Sequence, residues 1–251
     1  SSSVLTALDA SAAIRHETLG SGNSITVPQG TLRAALLDDS LVVRASYGES
    51  FRAPSLANLS APVTTTVQTV NTFFDPVRGG NFPFTLTQGG NANLKPEKGE
   101  NLNIGLIYTP KNLSQLTLKA DYWSISVSDI IVIPSIQDLY NGISPVGTIT
   151  RDASQYPTFD IRVTNGGVID AEGFDLGASY HWDIGSLGRL TLDGTATYTT
   201  TFERIFGPTI NEYLGNWTAG YGVMPKLRAV AGANWRRGSW EAATFVRYKS
   251  S

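Results

Sequence analysis

The chain has 251 residues, with 19 lysines and arginines against 21 aspartates and glutamates. No basic surplus points to nucleic acid, and the absence of cysteine excludes a disulfide scaffold and a thiolate metal site. Charged residues make up 16% of the chain, below the roughly 25% of an ordinary soluble domain. No apolar run approaches the ~18 residues of a membrane helix.

Apolar residues recur at every second position rather than at helical spacing. The pattern predicts strands at 4–17, 30–37, 41–48, 97–108, 114–128, 168–182, 188–202, 225–236 and 239–249. In the first, Leu8, Ala10, Ala12 and Ile14 alternate with Asp9, Ser11 and Arg15. In the fourth, Leu102, Ile104, Leu106 and Tyr108 alternate with Asn101, Asn103 and Gly105. Farther on, Phe174, Leu176, Ala178, Tyr180 and Trp182 alternate with Asp175, Gly177, Ser179 and His181. Then Leu190, Leu192, Gly194, Ala196 and Tyr198 alternate with Arg189, Thr191, Asp193, Thr195 and Thr197. In the last two, Ala229, Ala231, Ala233 and Trp235 alternate with Arg228, Gly232 and Asn234, and Trp240, Ala242, Val246 and Tyr248 with Glu241, Arg247 and Lys249.

Short connections rich in Asp, Gly, Pro and Asn (38–40, 109–114, 183–188, 236–239) take turns with long ones (49–96, 129–167, 203–224) and a modest one at 18–29. In an up-and-down meander this puts every tight turn at one end and every long loop at the other, as in outer-membrane barrels. Two features distinguish the greasy face from a soluble core. Its middle is often Ala or Gly, whereas a water-excluding core needs large interlocking side chains. Its ends carry aromatics: Tyr108, Tyr180, Trp182, Trp235 and Trp240 beside tight turns, and Tyr47, Phe174, Phe202 and Tyr248 toward long loops, an arrangement of two interfacial girdles. The greasy face therefore meets lipid and the wet face a hydrated or plugged lumen. The fold expected is all-β, an antiparallel up-and-down transmembrane barrel in the outer membrane. The segment 116–128 breaks phase after Tyr122, through either a bulge or an exit from the membrane. On pattern alone, a soluble β-sandwich for binding or adhesion is the competing reading.

Four stretches resemble TonB-dependent outer-membrane receptors. "LVVRASYGESFRAPSLANL" (41–59) is similar to their ascending strand and "FRAPSL" segment, and "GNANLKPEKGENLNIGLIYTP" (90–110) to their "LKPE" loop and descending strand. "LTLKADYWSISVSDII" (116–131) and "NGGVIDAEGFDLGASYHW" (165–182) resemble the two strands that follow. The resemblance implies a barrel of about 22 strands with a plug domain, of which residues 1–251 form an incomplete part of about nine strands. Roughly ten strands would precede Ser1 and about three follow Ser251, and both ends read as cut. It also implies active uptake of a scarce nutrient such as an iron-siderophore, cobalamin or an oligosaccharide, energised through TonB at a plug and TonB box outside this chain. A passive porin or autotransporter barrel is the alternative of the same shape.

Binding residues are sought in the long loops. Arg52, Phe73, Phe74 and Arg78 stand in the first, Tyr140, Arg151 and Tyr156 in the second, and Phe206, Tyr213 and Trp217 in the third. Aromatics with a few cations suit a small-molecule or metal-chelate substrate, stack on sugars, or pack the loops together. Pro54 and Pro96 read as strand punctuation. No catalytic motif, resident metal site or cofactor is expected: the two histidines, His16 and His181, are far apart, and no HExxH, GxSxG or EF-hand pattern occurs. Asp175 and Asp193 are expected in lumen charge ladders with Arg189, Arg228 and Arg247.

Overall fold

A computed structural model describes residues 4–18, 24–69, 74–75, 77–142, 144–218 and 222–250. Nine long strands follow one another as an antiparallel meander: β1 (Leu5–Thr18), β2 (Ser24–Leu36), β3 (Leu41–Arg52), β4 (Glu97–Tyr108), β5 (Leu116–Ser128), β6 (Val168–Asp183), β7 (Arg189–Phe206), β8 (Leu227–Arg237) and β9 (Trp240–Lys249). Every predicted strand is present. β2 starts earlier than its alternation suggests, and β3 and β7 run on toward the long loops. Among the described residues helix is confined to single turns such as α1 (Leu56–Ser60) and α2 (Ile136–Tyr140), each capped by a serine hydroxyl that accepts a backbone N–H.

The register explains the alternation. One row of directly opposed residues reads Ala10, Leu32, Ala45, Ile104, Tyr122, Phe174, Tyr198 and Leu227 from β1 to β8. The next row, one residue along each strand, reads Asp9, Arg33, Arg44, Gly105, Asp121, Asp175, Thr197 and Arg228. Because side chains alternate across a strand, the whole sheet has one apolar and one polar face. Among the described residues no second sheet covers the apolar face: Leu176 is 52% exposed, Tyr198 48% and Val246 66%. This overturns the soluble-sandwich reading, which requires that face to be buried. Backbone groups among such side chains are satisfied only by strand pairing, the condition a barrel in lipid meets.

On the polar face, Arg33 and Arg44 lie side by side, and each reaches away to an acid. Arg33 Nη1 donates to Asp9 Oδ2 at 3.0 Å, and Arg44 Nη2 to Asp121 Oδ1 at 2.7 Å. The second pair crosses β4 over Gly105, where a Cβ would come within 1.9 Å of Asp121 Oδ1. The expected ladder partners differ. Arg189 pairs with Asp183, and Asp193 accepts from Ser179 Oγ at 2.8 Å. Asp175, Arg228 and Arg247 form no ion pair among the described residues, because their opposed neighbours are Asp121, Thr197 and Val230.

The phase break in β5 resolves as an exit from the apolar layer. The pairing of β5 with β4 and β6 passes Tyr122 without a register shift. Beyond it the outward positions turn polar, with Ser126 Oγ donating to Asp170 Oδ1 at 2.6 Å. The bulge lies in β7, where Thr199 and Thr201 oppose the consecutive Gly173 and Glu172 and Thr200 is the extra residue. The extra residue reverses the facing of everything after it. Phe202 therefore opposes inward Ala171 and packs on Tyr213, ring centroids 5.5 Å apart; it does not belong to the outer girdle. Tyr47, Phe174 and Tyr248 do face outward on that side, joined by Tyr198, and Trp182, Trp235 and Trp240 stand near the tight turns. Trp235 Nε1 donates to Leu187 O, in the neighbouring turn between β6 and β7, at 2.8 Å, so its polar edge is satisfied while its ring faces out.

Candidate functional site

At the long-loop end two loops combine into one folded cover. Thr64–Gln68 and Phe84–Gln88 of the first loop pair antiparallel. Phe84–Gln88 then pairs in parallel with Pro157–Asp160 of the second loop, which pairs with Thr148–Arg151. Beneath this four-stranded sheet, Phe84, Leu139 and Phe159 form a core, the two phenyl rings edge to face at 5.5 Å. The alternation in "FTLTQ" and "PTFD" is visible in the sequence, but each segment is too short to announce a strand alone, and their parallel pairing joins residues about 70 positions apart.

The cover is locked by ions. Asp75 is fully buried. Arg151 donates to it twice, Nη1 to Oδ2 at 2.8 Å and Nη2 to Oδ1 at 3.0 Å, and Tyr140 Oη and the Val77 N–H donate to Oδ1. Arg151, aided by Tyr140 and the Val77 amide, holds the Asp75 carboxyl below its ordinary range although burial opposes this. Beside the lock, the Arg78 guanidinium lies between the rings of Phe82 and Tyr156, 3.9 Å from each centroid. The loop roots are stapled by Asn165, which bonds Lys95 N, Lys95 O and Asp129 O at 2.8–2.9 Å.

The structure thus brings together Arg78, Tyr140, Arg151 and Tyr156, with Phe74 beside Asp75 at the cover's surface. Tyr140 and Arg151 are committed to Asp75. Arg52 stands apart at the end of β3, paired with Glu97, which also accepts from Ile131 N at 2.7 Å. Phe206 is buried against Gly166 and Gly167, and Tyr213 against Phe202. Gly167 has φ +87°, and a Cβ there would meet Ile205 O at 2.8 Å, so this corner admits only glycine without strain. Phe73 and the Trp217 side chain lie outside the described residues.

Below the cover, the inward register row Ser50, Gly99, Val127, Ile169, Arg204 forms one wall of a cleft of 580 Å³. Phe51, Lys98, the Arg52–Glu97 pair, Ile130, Ile131 and Val132 complete it. Sequence reasoning passed over Arg204, because its side of the sheet depends on the unforeseen bulge at Thr200.

A family model described as TonB dependent receptor-like, beta-barrel, matches residues 3–251. No curated protein matches the chain by sequence. Among solved structures, the siderophore receptor PirA from Acinetobacter baumannii is similar with a TM-score of 0.60 at 14% identity, over 94% of this chain and 30% of that one. A variant of the ferric enterobactin receptor PfeA from Pseudomonas aeruginosa, in complex with enterobactin, gives 0.64 at 14% identity over 96% and 30%. The FrpB iron transporter from Neisseria meningitidis gives 0.53 at 15% over 96% and 30%. The chain therefore spans about a third of the length of the structures it matches, and at these identities they speak for the fold alone. Extending over nearly every residue, the family match agrees with the meander, the two-faced register and the one-ended long loops: the chain belongs to the TonB-dependent receptor-like β-barrels, proteins of the outer membrane.

Proposed function

We propose that this chain is part of a 22-stranded receptor barrel that imports a scarce, bulky nutrient, an iron-siderophore ahead of cobalamin or an oligosaccharide. In this reading the strands pair with others outside the chain, a plug domain fills the lumen, and TonB supplies the energy through that plug. The observation that carries the reading is the cover: two long loops folded into one hydrogen-bonded sheet above an inward-facing cleft. A passive pore gains nothing from such a cover, whereas a receptor uses it to surround its cargo before release. Phe74, Arg78 and Tyr156 on the cover and Arg52 at the cleft rim are the proposed ligand contacts; Tyr140, Arg151, Phe206 and Tyr213 hold the frame in place. Trp217 and Phe73 stay candidate contacts of the third and first loops. No catalytic step is involved, and the outer-membrane lipid is the solvent of the apolar face.

The test is growth on ferric siderophores, cobalamin or oligosaccharides as sole source of the limiting nutrient. Three strains are compared: one with the complete receptor gene, one without it, and one with the gene but without TonB. Growth that requires both gene and TonB supports the reading. Growth that requires the gene and not TonB identifies a passive pore instead.

A further inference from the structure

The four-stranded loop sheet ends on one side in an undefended edge. Thr64–Gln68 pairs with Phe84–Gln88 alone, and among the described residues no other hydrogen bond reaches its main-chain atoms. In an antiparallel pair alternate residues point their N–H and C=O groups away from the partner strand, so half of this strand's main-chain groups face outward. Proteins blunt such edges with charges, prolines, bulges or a covering helix. The opposite edge follows that rule: Thr148–Arg151 carries Arg151 and lies beside α2. Thr64–Gln68 does not. Its register runs without a shift, it contains no proline, and no charged residue occurs from Ala53 to Phe74. Thr64, Thr65, Thr66 and Val67 are all exposed.

The edge is also held rigidly. Gly90 N donates to Ala61 O at 3.0 Å and Asn91 N to Asn58 O at 2.8 Å, which fixes the approach to the strand. A Cβ at Gly89 would come within 2.6 Å of Pro62 O, so the two chain segments touch backbone to backbone. Thr65 and Thr87 share a hydroxyl hydrogen bond at 3.1 Å across the pair. Thr65 and Val67 oppose Thr87 and Thr85 on the outer face, while Thr66 and Gln68 oppose Leu86 and Phe84 on the core side. Beside the edge, Val63 and Leu56 of α1 are exposed apolar side chains. Such an edge needs no ordering before it pairs, and only another main chain repeats donors and acceptors at its spacing. A charged strand would lose hydration there without gaining a counter-ion. An uncharged β-branched strand avoids that cost and packs against Thr65 and Val67.

We infer that Thr64–Gln68 is a docking edge for an extended, uncharged segment of a partner polypeptide at the cell surface, which joins the cover as a fifth strand. The main chain supplies the pairing, and Val63, Val67 and Leu56 supply the side-chain contacts. The edge is separate from the cleft beneath the cover, and its role does not depend on which nutrient the receptor imports.

The experiment is amide hydrogen exchange of the full-length receptor in detergent micelles, read by mass spectrometry. The probe is an end-capped pentapeptide of alternating threonine and valine, titrated to about 1 mM. Without peptide, part of Thr64–Gln68 should exchange fast at every receptor concentration. With peptide, exchange there should slow about tenfold or more while Phe84–Gln88 is unchanged. The same peptide N-methylated at every residue has no donors left and should protect nothing, and a version with lysine in place of valine should protect far less. Val67→Lys should abolish the effect. No protection by the neutral peptide, or equal protection by the N-methylated one, would overturn the proposal. Full protection of the free receptor would show that another of its own loops already holds the edge, and protection that grows with receptor concentration alone would assign it to a second copy; either result also overturns it. The comparison of peptides on wild-type protein decides the matter even where Val67→Lys fails to fold.

Discussion

Replacing Ala231 by arginine probes the facing of the sheet where it should matter most. Ala231 opposes Gly194 on β7 and Val246 on β9, on the apolar face, four positions from both Leu227 and Trp235. At ~3.4 Å per residue and a tilt of about 40°, it lies about 10 Å in height from each, close to the middle of a ~25 Å apolar band. An arginine stem extends roughly 7 Å, too short to carry the charge to either interface from that depth. The lipid-facing penalty for arginine at the midplane is about 2–4 kcal/mol, or roughly a 30- to 900-fold loss in the folding equilibrium. Asn234 stands three residues away on the other face and donates to Glu241 Oε1 at 2.9 Å. Arginine there keeps a donor for that carboxylate and should change stability by no more than ~0.5 kcal/mol. The assay is urea-titrated refolding of the full-length protein into lipid vesicles, followed by tryptophan fluorescence and by the gel mobility of unheated samples. A similar cost at both positions, or a greater one at Asn234, would refute the assignment of faces.

Two further predictions concern ions. Asp75→Asn should open the cover, raising protease cleavage of the two long loops. Asp75 is buried but Arg151 keeps part of its side chain in solvent, so the expected local loss is about 2 kcal/mol rather than the larger value of a deep core. Because the Asp75 pKa is depressed, its contribution is complete above the ordinary carboxylate range near 3.9 and fades as pH falls through the lower folded-state value. Pepsin cleavage of the loops should thus rise steeply only below about pH 4 in the wild type, and Asp75→Asn should lose that pH dependence. Gly105→Ala should displace Asp121 from Arg44 and cost about 1 kcal/mol, since Arg44 is half exposed although Asp121 is largely covered; in an Asp121→Asn background the same change should cost almost nothing extra, as measured by the urea midpoint.

The strands and their facing were legible in the residues because a pleated strand alternates strictly, so a greasy series such as Leu102, Ile104, Leu106 and Tyr108 marks its own face without reference to any partner. The tight turns were equally local, since residues such as Asp38 and Asp39 adopt positive φ where they stand. What tertiary structure alone decided was every feature that joins distant segments. The bulge at Thr200 is defined by its partners Glu172 and Gly173, and it moved Phe202 and Arg204 from the outer face to the inner one. The loop sheet arises from a parallel pairing between residues in separate loops, and the Asp75–Arg151 lock closes across the same gap. Alternation is a property of a single strand, whereas register, bulges and buried ion pairs belong to two strands at once, and only the folded chain brings the two together.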